Sequence, residues 1–598
     1  MPDGPMPTDQ KAFEAMVRRY AAKLLRRYSP LIIGAVLLLL MLLLLPTTQP
    51  LARSGTDGGP APGTGNVAAA PGPAAHGSAG APGVGNADSG ANPGVEGATA
   101  GAPGAGAGGG IGAPLAFSAA AGSASGMAKT GVRCGGGARQ FAWSVHSPNC
   151  EAAFTANNGG NTGQGVTAST ITLTFRVPNS AQDQAIAAAA GAANVNYPAM
   201  LADFQTYINF FNTQFELYGR HVMLKAYNGQ GDYIQEDQGQ NLAAAQADAV
   251  SAHDMGAFGD VTFSLGSSQA YEQDLADEHV MSFSSIAQPE SWFQQYAPYE
   301  WSVQGPSGTT AVQEAAAVVC RRMAGMPAIF SGDALSTHTT RVFGLVYPEI
   351  PTYTALANQY KQLLRQQCGQ DVAETSAYAV NVSQFPSQAT TIVAQMRAAH
   401  VTSILCACDP VFPVFLSRAA SGQNYHPEWV VTEEGDPSGR LYDQSEWGHA
   451  FGGGLQFPTL ATTEAARAYQ LANPGHQPAE GSGSGGPPYF YVPYYTLLHV
   501  FEALQAAGPA LTAKNFAGAM FSLPPSVGAD PVGGEWQFGD QVYDPVVSFS
   551  LAWWNPNATS AFDNKTGAYQ ACNGGQVYTA SNLAALGGPK QQLNCLGR

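Results

Sequence analysis

Past residue 165 the chain repeats one unit, a short run of β-branched and apolar residues followed by a longer Ala-rich stretch of helical period. This alternation is the strongest constraint on the fold, because strands joined through helices come back parallel and build layered α/β structure. Strands are expected at 170–177, 221–227, 257–264, 279–284, 341–347, 374–380, 403–407 and 429–432. Helices are expected at 199–216, 236–253, 268–277, 309–324, 352–368, 387–400 and 413–422. Right-handed crossovers turn such units into open, doubly wound sheets. The strands are too many for one compact sheet and the pattern restarts near Gly305. The reading is therefore an α/β protein of two doubly wound, Rossmann-like lobes with a cleft between them.

What precedes these lobes is of a different kind. Residues 1–30 are basic, and 31–45 (LIIGAVLLLLMLLLL) are 15 residues without a charge, ended by Pro46. At 1.5 Å per residue the run covers about 22 Å against a hydrocarbon core of roughly 30 Å, so spanning draws on flanking residues and local thinning. Arg18, Arg19, Lys23, Arg26 and Arg27 before it place 1–30 in the cytoplasm and the rest outside. No small-residue cleavage site follows closely, the nearest being 68–70, and the first cysteine is Cys134, too far for lipid attachment. Residues 31–46 are thus expected to stay as a single-pass signal anchor, placing the protein in the cell membrane with its C-terminal domain extracytoplasmic. Residues 47–130, mostly Gly, Ala and Pro with some Ser, Asn and Thr and almost no large apolar residue, read as a disordered tether with ends on the order of 50 Å apart.

Charge closes off one function. Residues 1–30 carry +3 and 31–130 carry −1, so of the total of −16 the remainder carries −18, which argues against nucleic acid as a partner. All eight cysteines lie beyond residue 130, in the part placed outside, where disulfides persist. They mark a cysteine-bearing segment at 131–164 and a cysteine-bearing tail at 563–598. Cys134 with Cys150 and Cys572 with Cys595 are near enough to close locally, and Cys320 with Cys368 would staple two consecutive helices, although eight cysteines allow 105 pairings. Cys406-Ala-Cys408 lacks metal or redox spacing and reads as two thiols at a strand end, or one bridge to elsewhere.

Ligands of doubly wound sheets bind at the carboxyl ends of strands, where helix N-termini offer free N–H groups. GSSQ (266–269) is such an edge, so Ser267 and Ser268 are candidate ligand contacts, an ordinary helix cap being the alternative for either. Trp292, Trp301 and Tyr271 are read either as a stacking wall or as core.

Taken in order, GVTASTITLTFRVP (165–178), INFFNTQFELYGRHVMLKAYNGQGD (208–232), FGDVTFSLGSSQAYEQDLADEHVMSFSS (258–285), RVFGLVYPEIPTYTALANQY (341–360), VTSILCACDPVFPVFLSRAASGQNYHPEWVVTEEGDP (401–437), YFYVPYYTLLHVFEALQAAG (489–508) and GGEWQFGD (533–540) resemble one family. It is the extracytoplasmic solute-binding receptors of ABC importers, in the leucine/isoleucine/valine-binding branch, with the type I periplasmic-binding fold. The resemblance implies a three-crossing hinge, with residues 165–304 and 454–533 in one lobe, 305–453 and 534–562 in the other, and crossings near 301–305, 452–456 and 533–536. The departures fall at 215–218, at 228–230 and at insertions 288–301 and 473–488, and they bear on the ligand's identity. The resemblance implies further ligand contacts at Ser284 and Ser285 on the second strand-end rim, and Glu434 as the carboxylate that would hold a ligand ammonium, with a solvated loop acid as the alternative. It also implies Tyr353 and Asp409 as lining residues. HExxH, P-loop, G-x-S-x-G and paired CxxC motifs are all missing from the sequence, so no enzyme activity, metal or cofactor is expected.

The function this implies is a membrane-tethered receptor that closes on a small polar solute, an amino acid or amide-like compound, and hands it to an ABC permease. The competing expectation is a membrane-anchored ligand sensor or envelope scaffold that uses the same fold without transport.

Overall fold

A computed structural model of the protein describes residues 125–179, 181–190, 195–284, 287–409, 411–431, 436–454, 463–476, 490–526, 534–560, 564–579 and 593–595. They belong to one compact unit, Gly106–Arg598. The basic segment, the apolar run 31–46 and the tether up to 124 lie outside the described residues, as do Ser285 and Glu434. No described helix is long and apolar enough to cross a membrane.

The chain enters through a small antiparallel pair, β1 (Gly126–Met127) and β2 (Arg133–Cys134). The first lobe's sheet follows, with β3 (Thr170–Val177), β4 (His221–Asn228), β5 (Gly259–Asp260) and β6 (Met281–Ser282), all parallel and ordered β4-β3-β5-β6. Seven of the eight residues of β3 are apolar or β-branched, and the middle six are buried, as expected of a strand covered on both faces. In the second lobe β7 (Phe343–Pro348), β8 (Val372–Tyr378), β9 (Ser403–Cys406), β10 (Glu428–Val431) and β11 (Ala450–Gly454) run parallel in the order β8-β7-β9-β10-β11. Antiparallel β12 (Ser548–Thr559), β13 (Thr566–Ala571) and β14 (Val577–Thr579) extend that sheet beyond β11. In each sheet the second strand lies on one side of the first and the later ones on the other. Each lobe therefore has a topological switch point, at β3/β5 and at β7/β9.

Two expected elements come out shorter, for local reasons. The strand at 257–264 pairs only over Gly259–Asp260, because the Asp260 carboxylate takes the N–H of Thr262 at 2.9 Å and the chain turns into a short 3-10 helix, Ser264–Gly266. The helix at 236–253 is two, Tyr233–Asp237 and Leu242–Asp254, separated where Gly239 and Asn241 take left-handed backbone angles of 74° and 55°.

The first lobe's core is aromatic. Helices Tyr197–Gln214 and Tyr491–Ala507 bury Phe204, Tyr207, Phe211, Tyr494 and Phe501 against Phe175 of β3. Trp292 and Trp301 belong to this core rather than to an exposed wall. The polypeptide changes lobes between Val303 and the helix Gly308–Arg322, between β11 and the helix Glu464–Ala472, and between Tyr543 and β12. The third passage comes later than the sequence implied. Trp536 lies between His146 (3.6 Å) and His499 (4.0 Å), and Tyr543 packs on Trp301 (5.2 Å), so this segment stays with the first lobe.

The cysteine-bearing ends attach to different lobes. Segment 131–164 is fastened to the first lobe: Gln140 Nε2 donates to Gln214 O (2.8 Å), Thr162 Oγ1 to Leu511 O (2.5 Å), and His146 Nδ1 meets Glu464 Oε2 at 3.2 Å. The C-terminal tail builds onto the second lobe's sheet, where Cys572, Tyr578 and Cys595 join its core. The disulfides are Cys134–Cys150, Cys320–Cys368, Cys572–Cys595 and Cys406–Cys408. The last pairing corrects the reading of two thiols or a distant bridge. In a strand, residues two apart lie about 6.6 Å apart, but the chain leaves β9 at Cys406 and brings the two Cα atoms to 5.0 Å, within bridging range. In the loop-entropy estimate the three longer closures stabilise by about 3–4 kcal/mol each and this short one by about half that.

Candidate functional site

The first lobe's switch point is organised by a charge that the sequence shows only as one basic residue in an apolar strand. Arg176 of β3 is fully buried. Its guanidinium donates to both oxygens of Glu236 (3.1 and 3.2 Å), to Asp248 Oδ2 (3.3 Å) and twice to Gly266 O (2.8 and 3.3 Å). It lies 3.8 Å from the centre of the Tyr271 ring. Burial alone would lower its proton affinity, but Glu236, then Tyr271 and Asp248, raise it above the ordinary value and hold the charge. Asp248 also takes the N–H groups of Gln230 and Gly231. The loop can wrap this closely only because it is built on glycine. A Cβ at Gly231 would lie 1.7 Å from Glu236 Oε1, and one at Gly229 would lie 2.7 Å from Arg176 Cγ.

This network fixes the strand-end serines. Ser268 accepts the N–H of Tyr271 (3.1 Å) as the cap of helix Gln269–Asp277, and its hydroxyl donates to Glu236 Oε2, so both its capacities are used inside the lobe. Tyr271 is likewise internal, with its hydroxyl on Asp260 Oδ2 (3.2 Å). Ser267 and Ser284 differ from these. Both are buried, and neither hydroxyl has a partner among the described residues, a costly state unless something bonds to them. Gln304 ties these two strand ends of the first lobe together: its oxygen accepts from Ser264 N (3.0 Å), and its nitrogen donates to Thr262 O (3.0 Å) and Phe283 O (3.1 Å).

At the second lobe's switch point Asp409 follows the Cys406–Cys408 bridge. Its Oδ1 accepts the N–H groups of Val411 (2.8 Å) and Phe412 (3.0 Å), at the start of helix Phe412–Gly422, and its Oδ2 accepts the Tyr378 hydroxyl. The Tyr378 ring stacks on Phe412 at 3.7 Å. Burial raises the Asp409 carboxyl above its usual range, and these hydrogen bonds partly offset that. Tyr353 sits in the first turn of helix Pro351–Cys368. Burial raises its phenol, and Asp237 of the first lobe and Asp409 of the second add to the rise, so its side chain lies within electrostatic reach of both lobes.

The two rims meet. Gln238 Nε2 donates to Val380 O (2.6 Å) and Thr352 Oγ1 to Gln269 Oε1 (2.7 Å), each bond joining one lobe to the other. Ile234 of the first lobe lies in the second lobe's apolar cluster with Tyr378 and Phe385, and Tyr233 packs against it. Asp237 beside them was not singled out from the sequence, where it reads as one more acid on a polar helix. It takes the N–H of Gln269 (3.1 Å), and burial pushes its carboxyl up to about 7. The first lobe's strand ends thus hold two buried hydroxyls without partners among the described residues, and at the seam Tyr353 feels the charge of one carboxylate from each lobe, Asp237 and Asp409. Among the described residues no cluster of three or more His, Cys, Asp or Glu is placed to hold a metal ion.

No family model and no curated protein matches this sequence. Solved structures do resemble it. A fatty acid ABC transporter substrate-binding protein from Thermomonospora curvata is 16% identical, with a TM-score of 0.47 over 72% of this chain and 97% of that one. An ABC transporter substrate-binding protein from Aeropyrum pernix is 11% identical, with a TM-score of 0.48 over 70% and 98%. A leucine-, isoleucine-, valine-, threonine- and alanine-binding protein from Brucella ovis, in its closed conformation, is 14% identical, with a TM-score of 0.46 over 71% and 97%. The fold of the present chain rests on its own strand order and crossings.

Proposed function

We propose that this protein, with the two doubly wound lobes and three crossings of the type I periplasmic-binding fold, is an extracytoplasmic solute receptor. In this reading it closes on an amino acid or amide-like solute and delivers it to an ABC permease, tethered to the membrane by the apolar run 31–46. What supports the reading is the hydrogen-bonded seam between the two lobes, Gln238 Nε2 on Val380 O and Thr352 Oγ1 on Gln269 Oε1, with the Ser267 and Ser284 hydroxyls of the first lobe buried and without partners among the described residues. A solute bonded to both lobes favours the closed state by the difference in its affinity for the two states.

The test is calorimetry and thermal shift against a library of amino acids and amides. A binder present at a hundred times its Kd adds about 2.7 kcal/mol of apparent stability. Ser284→Ala should then weaken binding by roughly fivefold, the worth of one hydrogen bond of about 1 kcal/mol. If no member of the library binds, the receptor reading fails and the scaffold role gains.

A further inference from the structure

Three of the four disulfides close sequence separations of 16, 48 and 23 residues, in the N-terminal segment, between two helices of the second lobe, and in the tail. The fourth closes a separation of 2, the arrangement that restricts the unfolded chain least. What sets it apart is its location. It stands at the carboxyl end of β9, at the second lobe's switch point, with Cys408 Sγ 3.8 Å from Val346 O of β7. Cys406 is buried in the lobe's core, while Cys408 is partly exposed.

The bridge is connected to the seam in four steps. Asp409 follows Cys408 directly and accepts the Tyr378 hydroxyl. Tyr378 stacks on Phe412 and shares an apolar cluster with Ile234 of the first lobe. Two residues beyond Tyr378, Val380 O receives Gln238 of the first lobe. With the bridge closed, the Cα atoms of 406 and 408 are held 5.0 Å apart; opened, the segment is free to extend toward the roughly 6.6 Å of a strand, carrying Asp409 with it.

We propose that Cys406–Cys408 is a thiol-exchange site for low-molecular-weight thiols, and that opening it loosens the second lobe's hold on the first. A thiolate attacks Cys408 Sγ, the more accessible sulfur. The S–S bond breaks, and Cys406 leaves as a thiolate that takes a proton from water. A second thiolate attacks the mixed disulfide, forming RSSR and releasing Cys408. Two RSH are oxidised to RSSR and one protein disulfide is reduced to two thiols. The loosening of the seam builds on the two-lobed receptor reading, whereas the exchange chemistry stands apart from it.

The experiment titrates the full chain with reduced glutathione, alkylates it, and maps the peptides by mass spectrometry. Amide hydrogen exchange is followed in parallel over 378–412 and 233–238. Cys406 and Cys408 should become alkylated at a glutathione concentration at least tenfold below that needed for the other six cysteines, and oxidised glutathione should reverse it. Exchange in both segments should rise severalfold on reduction. The double variant C406S/C408S should show the fast exchange from the outset and no response to thiol. The proposal is overturned if another pair opens first or together with this one, or if selective opening leaves both segments' exchange unchanged. Neither readout requires a solute, so the thiol site stands or falls independently of whether the chain binds any member of the library.

Discussion

Arg176→Met removes the guanidinium and keeps most of the apolar stem. Two buried carboxylates, Glu236 and Asp248, and the carbonyl of Gly266 then lose their shared cation. Removing one partner of a buried ion pair costs about 3–5 kcal/mol, because the other charge stays buried and unpaired, and the lost contact over Tyr271 adds to that. For a lobe of this size about 4 kcal/mol corresponds to a fall in Tm of roughly 8–16 °C. The sign with pH follows from the same cause. Protonation neutralises an orphaned carboxylate, so the deficit should be largest at pH 8 and smaller at pH 5. Adding Glu236→Gln, which removes one stranded charge, should recover part of the loss. Calorimetric scans of the wild type, the single variant and the double variant at both pH values check this. A deficit under about 1 kcal/mol, or one equal at pH 5 and pH 8 and untouched by the second change, would show that Arg176 does not carry the network.

Two further outcomes concern the hinge and the seam. Burial, and then Asp544, push Glu314 up to about 8 and Glu290 up to about 7, while Asp544 accepts Ser307 N (3.0 Å) and Thr310 Oγ1 (2.8 Å). The folded state therefore keeps protons that the unfolded chain releases above about 4.5, so stability falls as pH rises through that window and the penalty is full above about 8. Glu314→Gln should match the wild type near pH 5 and exceed it by about 1–2 kcal/mol at pH 9, allowing for screening; parallel stability profiles in thermal melts would contradict this. Ile234→Asp places a carboxylate in the second lobe's apolar cluster at a cost of several kcal/mol, more than the two interlobe hydrogen bonds return at about 1 kcal/mol each. Small-angle scattering should show a larger radius of gyration, and an unchanged curve would mean that the seam does not hold the lobes.

The lobes were legible because their strands are continuous apolar runs between helical stretches; 170–177 came out with the boundaries expected. Where the expectation slipped, a side chain or a backbone angle had overridden the pattern: Asp260 bending the chain out of β5, Gly239 and Asn241 breaking a helix, and Trp536 held between two imidazoles on the first lobe. The site was less legible. Serine at a strand end reads alike whether it caps a helix or faces a cleft, and only three-dimensional neighbours separate Ser268, satisfied twice within its lobe, from Ser267, satisfied nowhere among the described residues. Arg176 left only the faint signal of a lone charge in TLTFRVP (172–178), because its partners come from helices 60 and 72 residues away. Asp237 left none, since its burial and its bond to Gln269 N come from a helix that begins some thirty residues further along the chain.

The packing of segment 131–164 onto the first lobe has a mechanical consequence. Its bonds to Gln214, Leu511 and Glu464 mean that a load or restraint arriving through this segment is delivered first to that half. The second half is joined to it by the three crossings and by the seam of Gln238, Thr352 and Ile234. In the proposed receptor the first half would therefore act as the stator, and the swing would belong to the half that bears the C-terminus.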